Sequence, residues 1–223
     1  MAIHPHGKRV FNLTFHGLGE PGASVDAQEK RYWLAAGAFE RILDHVAGRP
    51  DVRLTFDDGN LSDLTVALPA LLARKMKAAF FVLAGRLGEP ASLSAHDVRV
   101  LKESGMTIGL HGMAHRAWRE LDARQLTVEL VDARKRLEDA VGGAVDWAGC
   151  PFGAYSRRVL ARLRGEGFAR VYTSDRGPAH ENDWLQPRNT MHATDDAAAV
   201  ERICGRWWGL RHEFKLFLKR HLP

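Results

Sequence analysis

Short apolar runs recur along this chain, each followed by a stretch with helical spacing, and this alternation limits the fold more than any single residue. The runs are Val10 to Phe15, Val52 to Phe56, Ala78 to Leu83, Met106 to Leu110, Val145 to Ala148, Ala169 to Thr173 and Leu185 to Met191. Between them, Ala35 to Ala47, Leu64 to Lys75, Ala123 to Val141 and Ser156 to Gly165 read as helices, with Leu64, Leu68, Leu71 and Leu72 sharing one face. Ser94 is placed to cap a further helix that runs to Ser104 and stops at Gly105. The strands are too uniformly apolar to have one face in water, so they belong to a parallel sheet covered by helices. About seven strands predict an α/β fold closed into a distorted (β/α) barrel. An open doubly wound sheet is the alternative, although no Gly-x-Gly-x-x-Gly or P-loop marks a nucleotide site.

The chain has 223 residues, 45% of them hydrophobic, enough for one large core. Residues 1–205 read as a single domain without linker or repeat. Cys150 and Cys204 lie far apart, which suggests neither a disulfide framework nor a thiolate zinc site. The net charge of +5 and pI near 9.5 permit anionic partners. No nucleic-acid-binding motif spacing accompanies them, so nucleic acid is not an expected partner. Residues 1–8 lack a secretory apolar stretch, and no run of about 18 apolar residues occurs, so the expected location is the cytoplasm. In 206–223, Trp207, Trp208, Leu210, Phe214, Phe217 and Leu218 interleave with Arg211, Lys215, Lys219 and Arg220. This reads as a basic amphipathic helix that either packs on the barrel or docks on a membrane surface, the inner leaflet if the chain is cytoplasmic.

Leu54-Thr55-Phe56-Asp57-Asp58-Gly59 is a buried strand ending in two adjacent carboxylates. Such a pair calls for a cation or a shared proton, or else it is a turn, for which Asp and Gly are both suited. His111-Gly112-Met113-Ala114-His115 offers two imidazoles four residues apart, again after a strand. In a parallel sheet both groups come to the carboxyl end of the strands, where chemistry gathers. Two imidazoles and a carboxylate suit a divalent metal, with zinc the first choice.

These motifs resemble the signatures of the polysaccharide deacetylase family, the NodB-like carbohydrate esterases, across roughly residues 10 to 192. The resemblance implies a metal-dependent deacetylase acting on an N-acetylated glycan or glycolipid. It implies Asp57 as the catalytic base and Asp58, His111 and His115 as metal ligands. The family has Ser or Thr where this chain has Gly112. Gly149-Cys150-Pro151-Phe152-Gly153 matches the end of a third motif that lines the groove, so Pro151, Phe152 and Gly153 are expected to meet substrate. That motif's arginine is missing here. Arg188, in Gln186-Pro187-Arg188, matches a later Leu-Pro-Arg segment and is expected to reach Asp57 instead. Leu13-Thr14-Phe15-His16 is similar to an N-terminal histidine segment, which makes His16 the expected general acid, with His192 the alternative. Asp183-Trp184 resembles a further Asp-Trp motif, in which the tryptophan walls the substrate groove.

Two other functions fit the same residues. One is a glycan-binding domain of this fold without turnover, motivated by the missing arginine and Gly112. The other is an amidase for a small non-sugar amide. Oligomeric state is not legible in the sequence.

Overall fold

Seven parallel strands close on themselves: β1 (Arg9–Phe15), β2 (Val52–Asp58), β3 (Ala78–Val82), β4 (Thr107–Leu110), β5 (Trp147–Gly149), β6 (Arg170–Thr173) and β8 (Leu185–Thr190). The short β7 (Ala179–His180) runs antiparallel along β1 outside the ring. Closure is made by β1, which pairs with β2 on one side and β8 on the other, Asn12 facing Arg53 and Arg188. The computed structural model describes residues 7–22, 25–206, 208, 209, 214, 216, 218 and 219. The sequence pattern predicts this barrel, and none of the seven strands departs from expectation by more than a residue or two at its ends.

Strand parity decides which residues face outward. Phe11, Leu13 and Phe15 of β1, Leu54 and Phe56 of β2, and Phe80 and Val82 of β3 join the main core with Phe39, Ile42 and Leu43 of helix α1 (Ala36–Val46). An aromatic ladder stitches this layer, with ring centroids 5.2 Å apart for Phe15 and Phe39 and 4.6 Å for Phe56 and Phe80. The alternate residues fill the barrel and are largely polar. Asn12 Nδ2 donates to Gln186 Oε1 at 3.1 Å, and the hydroxyls of Thr14 and Thr55 bond at 3.0 Å. Phe81, Ala79 and Tyr172 form a separate small cluster among them. Polar groups sealed inside a barrel are tolerated because they find one another.

The remaining helices cover the barrel: α2 (Leu68–Ala73), α3 (Ala95–Glu103), α4 (Ala123–Thr127), α5 (Ala133–Val141), α6 (Arg157–Gly165) and α7 (Ala197–Gly205). Ser94 caps α3 through a reciprocal box with Asp97, as its position predicts. Two expected helices differ from a regular α-helix, because π-helical turns at Asp63–Ala67 and Val128–Asp132 interrupt them. Helix α7 has no counterpart in the sequence reading. Both cysteines are free and buried. No helix among the described residues is long and apolar enough to cross a membrane. The expected basic helix of 206–223 falls largely outside the described residues. Within it, Leu216 is buried, and Lys219 Nζ meets the Asp175 carboxylate at 2.6 Å and the Gly153 carbonyl at 3.0 Å.

Candidate active site

Parallel strands carry their carboxyl ends to one rim, and there β2 delivers Asp57 and Asp58 together with their pleat pointing them differently. Asp57 continues the inward parity of Thr55 and is buried at 3% exposure, facing Arg188 at 1%. The guanidinium forks onto it, Nη1 to Oδ1 at 2.6 Å and Nη2 to Oδ2 at 2.7 Å. Burial pushes the Asp57 carboxyl up, but the charge of Arg188, the nearby His111 and His16, and the Arg188 hydrogen bonds together outweigh it and hold the group well below the usual carboxylate range. Arg188 also lies over the Phe81 ring at 5.0 Å, so its orientation is set on several sides. The expected Arg188 to Asp57 reach is thus present as a bidentate pair.

Asp58 turns the other way. Its backbone has φ 78°, a left-handed conformation that costs a non-glycine residue free energy, and Gly59 follows at φ 70°. The turn aims Asp58 Oδ1 at His111 Nε2, 3.6 Å away, and at His115 Nε2, 3.5 Å away. His115 is left-handed as well, at φ 52°. Strain at two neighbouring polar residues is a mark of a built site.

These three side chains fit a divalent cation. Their ligand atoms lie within 4.8 Å of one another, and Asp58 Oδ1 is buried with no hydrogen-bond partner. His111 Nδ1 is 2.8 Å from the Gly149 carbonyl, which only accepts, so that nitrogen carries the proton and Nε2 presents its lone pair. Burial lowers the His111 pKa to about 4, which keeps the imidazole neutral.

Sequence reasoning missed the groups that hold this loop. Glu129 is buried and accepts from the N–H groups of Met113 at 2.9 Å and Ala114 at 3.2 Å. A Cβ on Gly112 would stand 2.3 Å from Glu129 Oε2. The space that a side chain at Gly112 would need is thus taken by the Glu129 carboxylate. Glu129 lies on the π-turn of Val128–Asp132, and Asp63 opens the π-turn of Asp63–Ala67. Such turns shift the register of the following side chains, which helps place an acid toward a site. Asp63 is fully buried, neither of its oxygens has a partner, and burial together with Asp58 and Asp57 raises its pKa well above the usual range.

The other expected residues divide between the two ends of the barrel. His16 follows β1, has a buried Nδ1 without a partner, and lies close enough to Asp57 to favour its ionised form. Its ring stacks on Tyr32 at 5.1 Å, and Tyr32 meets His192 on its other side at 5.2 Å. Pro151 and Gly153 are buried in the turn after β5, while Phe152 is 66% exposed. The Phe152 ring lies 4.3 Å from that of His115. Asp183 and Trp184 do not join them. They precede β8 and so stand at the amino end of the barrel, where Trp184 Nε1 donates to the Phe168 carbonyl at 2.7 Å and Arg164 covers the indole at 4.0 Å. The aromatic surface next to His115 is Phe152, and the expectation for Trp184 is corrected accordingly.

The sequence pattern of the family described as Polysaccharide deacetylase matches residues 45–171. YxkH of Bacillus subtilis (strain 168) is 25% identical over 188 residues, covering 78% of this chain and 67% of its own length. The Chitooligosaccharide deacetylase of Rhizobium leguminosarum bv. phaseoli is 25% identical over 146 residues, 65% of this chain and 61% of the relative. Across the curated relatives, this chain spans between 54% and 67% of their lengths. The deacetylase PplD of Streptococcus pyogenes has the same fold, with a TM-score of 0.76 at 18% identity over 88% of this chain and 98% of that one. With the family pattern spanning more than half its length, the chain belongs to the polysaccharide deacetylases, hydrolases that act on amide bonds.

Proposed function

We propose that this protein removes the N-acetyl group of an amino sugar in a glycan or glycolipid, with Asp58, His111 and His115 holding a divalent cation, zinc by the chemistry of the donor set. The observation that carries this reading is the division of labour between adjacent carboxylates: Asp58 Oδ1 is unpartnered and faces two imidazole nitrogens, while Asp57 is clamped by Arg188. A bound cation supplies a water of lowered pKa and polarises the acetyl carbonyl.

Asp57 stays ionised at neutral pH, so it accepts the proton of the attacking water. Arg188 keeps it from being drawn onto the cation beside Asp58. His16, with a ring nitrogen unpartnered at the rim, donates a proton to the departing amine. The exposed Phe152 offers an amphipathic ring surface to the apolar face of a sugar next to the ligands. Two departures from the family pattern suggested a silent glycan-binding domain, and both places are filled, by Arg188 and by Glu129. That favours turnover.

The test is Asp57→Asn, assayed for acetate release from N-acetylglucosamine oligomers and for metal content. Acetate release is expected to fall about 10²- to 10⁴-fold with metal retained. Metal loss with activity preserved would overturn the assignment, and release of acid only from small non-sugar amides would move the substrate to the amidase class.

A further inference from the structure

A cavity of about 260 Å³ opens beside the catalytic rim, lined by Arg176, Arg202, Arg206, His192, Asp195 and Trp208 among others. It lies at the carboxyl end of β8, whose last residue Thr190 also lines it, and so at the same end of the barrel as Asp57 and Asp58. His192 links the two places, because its ring meets Tyr32 and Tyr32 stacks on His16.

Two of its cations come from one end of a helix: Arg202 lies in the last turn of α7, and Arg206 follows it as the extended C-cap residue. Among the described residues neither has a carboxylate within ion-pair distance. One carboxylate, Asp195, also lines the cavity, where it accepts the His192 N–H at 2.7 Å and sets one negative charge against three arginines. Arg206 lies over the Trp208 indole at 5.0 Å, which gives the cavity a flat apolar wall next to its cations.

The third arginine is placed by a rigid loop. Arg176 has φ 63°, and its N–H donates to the Arg188 carbonyl at 3.0 Å. The next residue, Gly177, is locked to the buried Asn189 in both directions, its N–H donating to Oδ1 at 2.8 Å and its carbonyl accepting from Nδ2 at 2.9 Å. The loop is therefore anchored to the strand that supplies Arg188.

We propose that this cavity is an oxyanion subsite, which holds a phosphate or carboxylate group carried by the glycan beside the sugar being deacetylated. Guanidinium forks match the paired oxygens of either group, and a flat aromatic wall suits the sugar that bears it. The substrate class is thus an anionic amino-sugar glycan. This rests on the deacetylase reading for the identity of the carrier, but the oxyanion site itself does not.

Inorganic phosphate titrated by calorimetry into the metal-free full chain tests the subsite directly. Binding that weakens with added salt, and that is reduced about tenfold or more in Arg202→Gln/Arg206→Gln but only in part in the double lysine variant, which keeps the charge without the fork, is expected. No binding to the parent chain, or equal binding to the glutamine variant, would overturn it. In acetate release, N-acetylglucosamine 1-phosphate and N-acetylmuramic acid are compared with the neutral disaccharide of N-acetylglucosamine. The anionic-to-neutral ratio of kcat/KM is expected to fall about tenfold in the glutamine variant, with the more affected probe telling phosphate from carboxylate. An equal fall for all three would count against the subsite. Release from none of them would refute the deacetylase reading and leave the phosphate titration to decide the subsite alone.

Discussion

The two ends of the barrel are built from the same strands, yet they differ in what they leave unfinished. At the carboxyl end, Asp58, His115 and Phe152 adopt left-handed backbones, and His16 Nδ1, Asp58 Oδ1 and both Asp63 oxygens are buried without partners. At the amino end such marks are fewer among the described residues, Lys75 at φ 54° and Arg53 Nη1 without a partner, and Trp184 has its indole N–H bonded and its ring covered by Arg164. Strain and unsatisfied polar atoms cost stability, so their concentration at one end marks where the chain has been shaped for something other than folding. An aromatic residue is no guide by itself. Phe152 and Trp184 are both large and ring-bearing, and only the one beside strained neighbours meets His115.

The sharpest way to break this contrast is Arg188→Met. It leaves Asp57 buried and uncompensated, so stability should drop by about 3 to 5 kcal/mol and acetate release by about 100-fold or more. Arg188→Lys should recover only part, because an ammonium cannot reproduce the fork. Denaturant titration and initial rates would check both, and unchanged rates would remove Arg188 from the site.

The pH dependence of the metal-free chain comes next. The folded pKa of His111, about 4, lies below its unfolded value near 6.5, so its contribution to stability is complete above pH 6.5 and is lost as pH falls toward 4. The unfolded chain binds the proton that buried His111 refuses, which amounts to roughly 3 kcal/mol over that window. Thermal midpoints measured with chelator should show this slope and lose much of it in His111→Gln. Asp57 acts in a lower window, since its depressed carboxyl gives stability that persists until the pH falls below the ordinary carboxylate range.

Glu129→Gln should be milder, because the amide keeps one acceptor for the Met113 and Ala114 N–H groups but turns a donor toward the other. A loss of about tenfold in metal affinity is expected, in the range for residues that orient ligands. Equilibrium dialysis would measure it. Trp184→Leu is the smallest case. Acetate release should stay within about twofold, while stability falls by about 1 to 3 kcal/mol as the Phe168 carbonyl loses its donor. A large rise in KM would instead place the amino end on the substrate path.

What could be read in advance follows from sequence distance and strand parity. Asp57-Asp58 and His111-x-x-x-His115 are local patterns, and each follows or ends an apolar run, which in a parallel barrel fixes the end at which it emerges. The same rule, applied to Asp183-Trp184, places them at the amino end, because they precede their strand. The motif likeness outweighed that signal. Arg188 was legible through the likeness of Gln186-Pro187-Arg188 to a family segment, within a run that reads as a strand. Glu129 was not. It pairs with a loop sixteen residues away through a π-turn, and one extra residue in a helical turn leaves no trace in apolar spacing. The polar lining of Asn12, Thr14, Thr55 and Gln186 was visible as alternation within the strands, yet it was overlooked because the outward partners dominate each run.

Lys219 gives the end of the chain a hold on its middle. Its ammonium is bonded to a carboxylate only 2% exposed, Asp175, which is also held by Tyr155 and Thr173, and to the carbonyl of Gly153, next to Phe152. A chain ended before this lysine would keep every strand of the barrel and still leave a sealed carboxylate without its cation and the Gly153 carbonyl, beside Phe152, without this donor. Lys219 is thus a fastener for the rim that carries Phe152, and whatever pulls on one also moves the other.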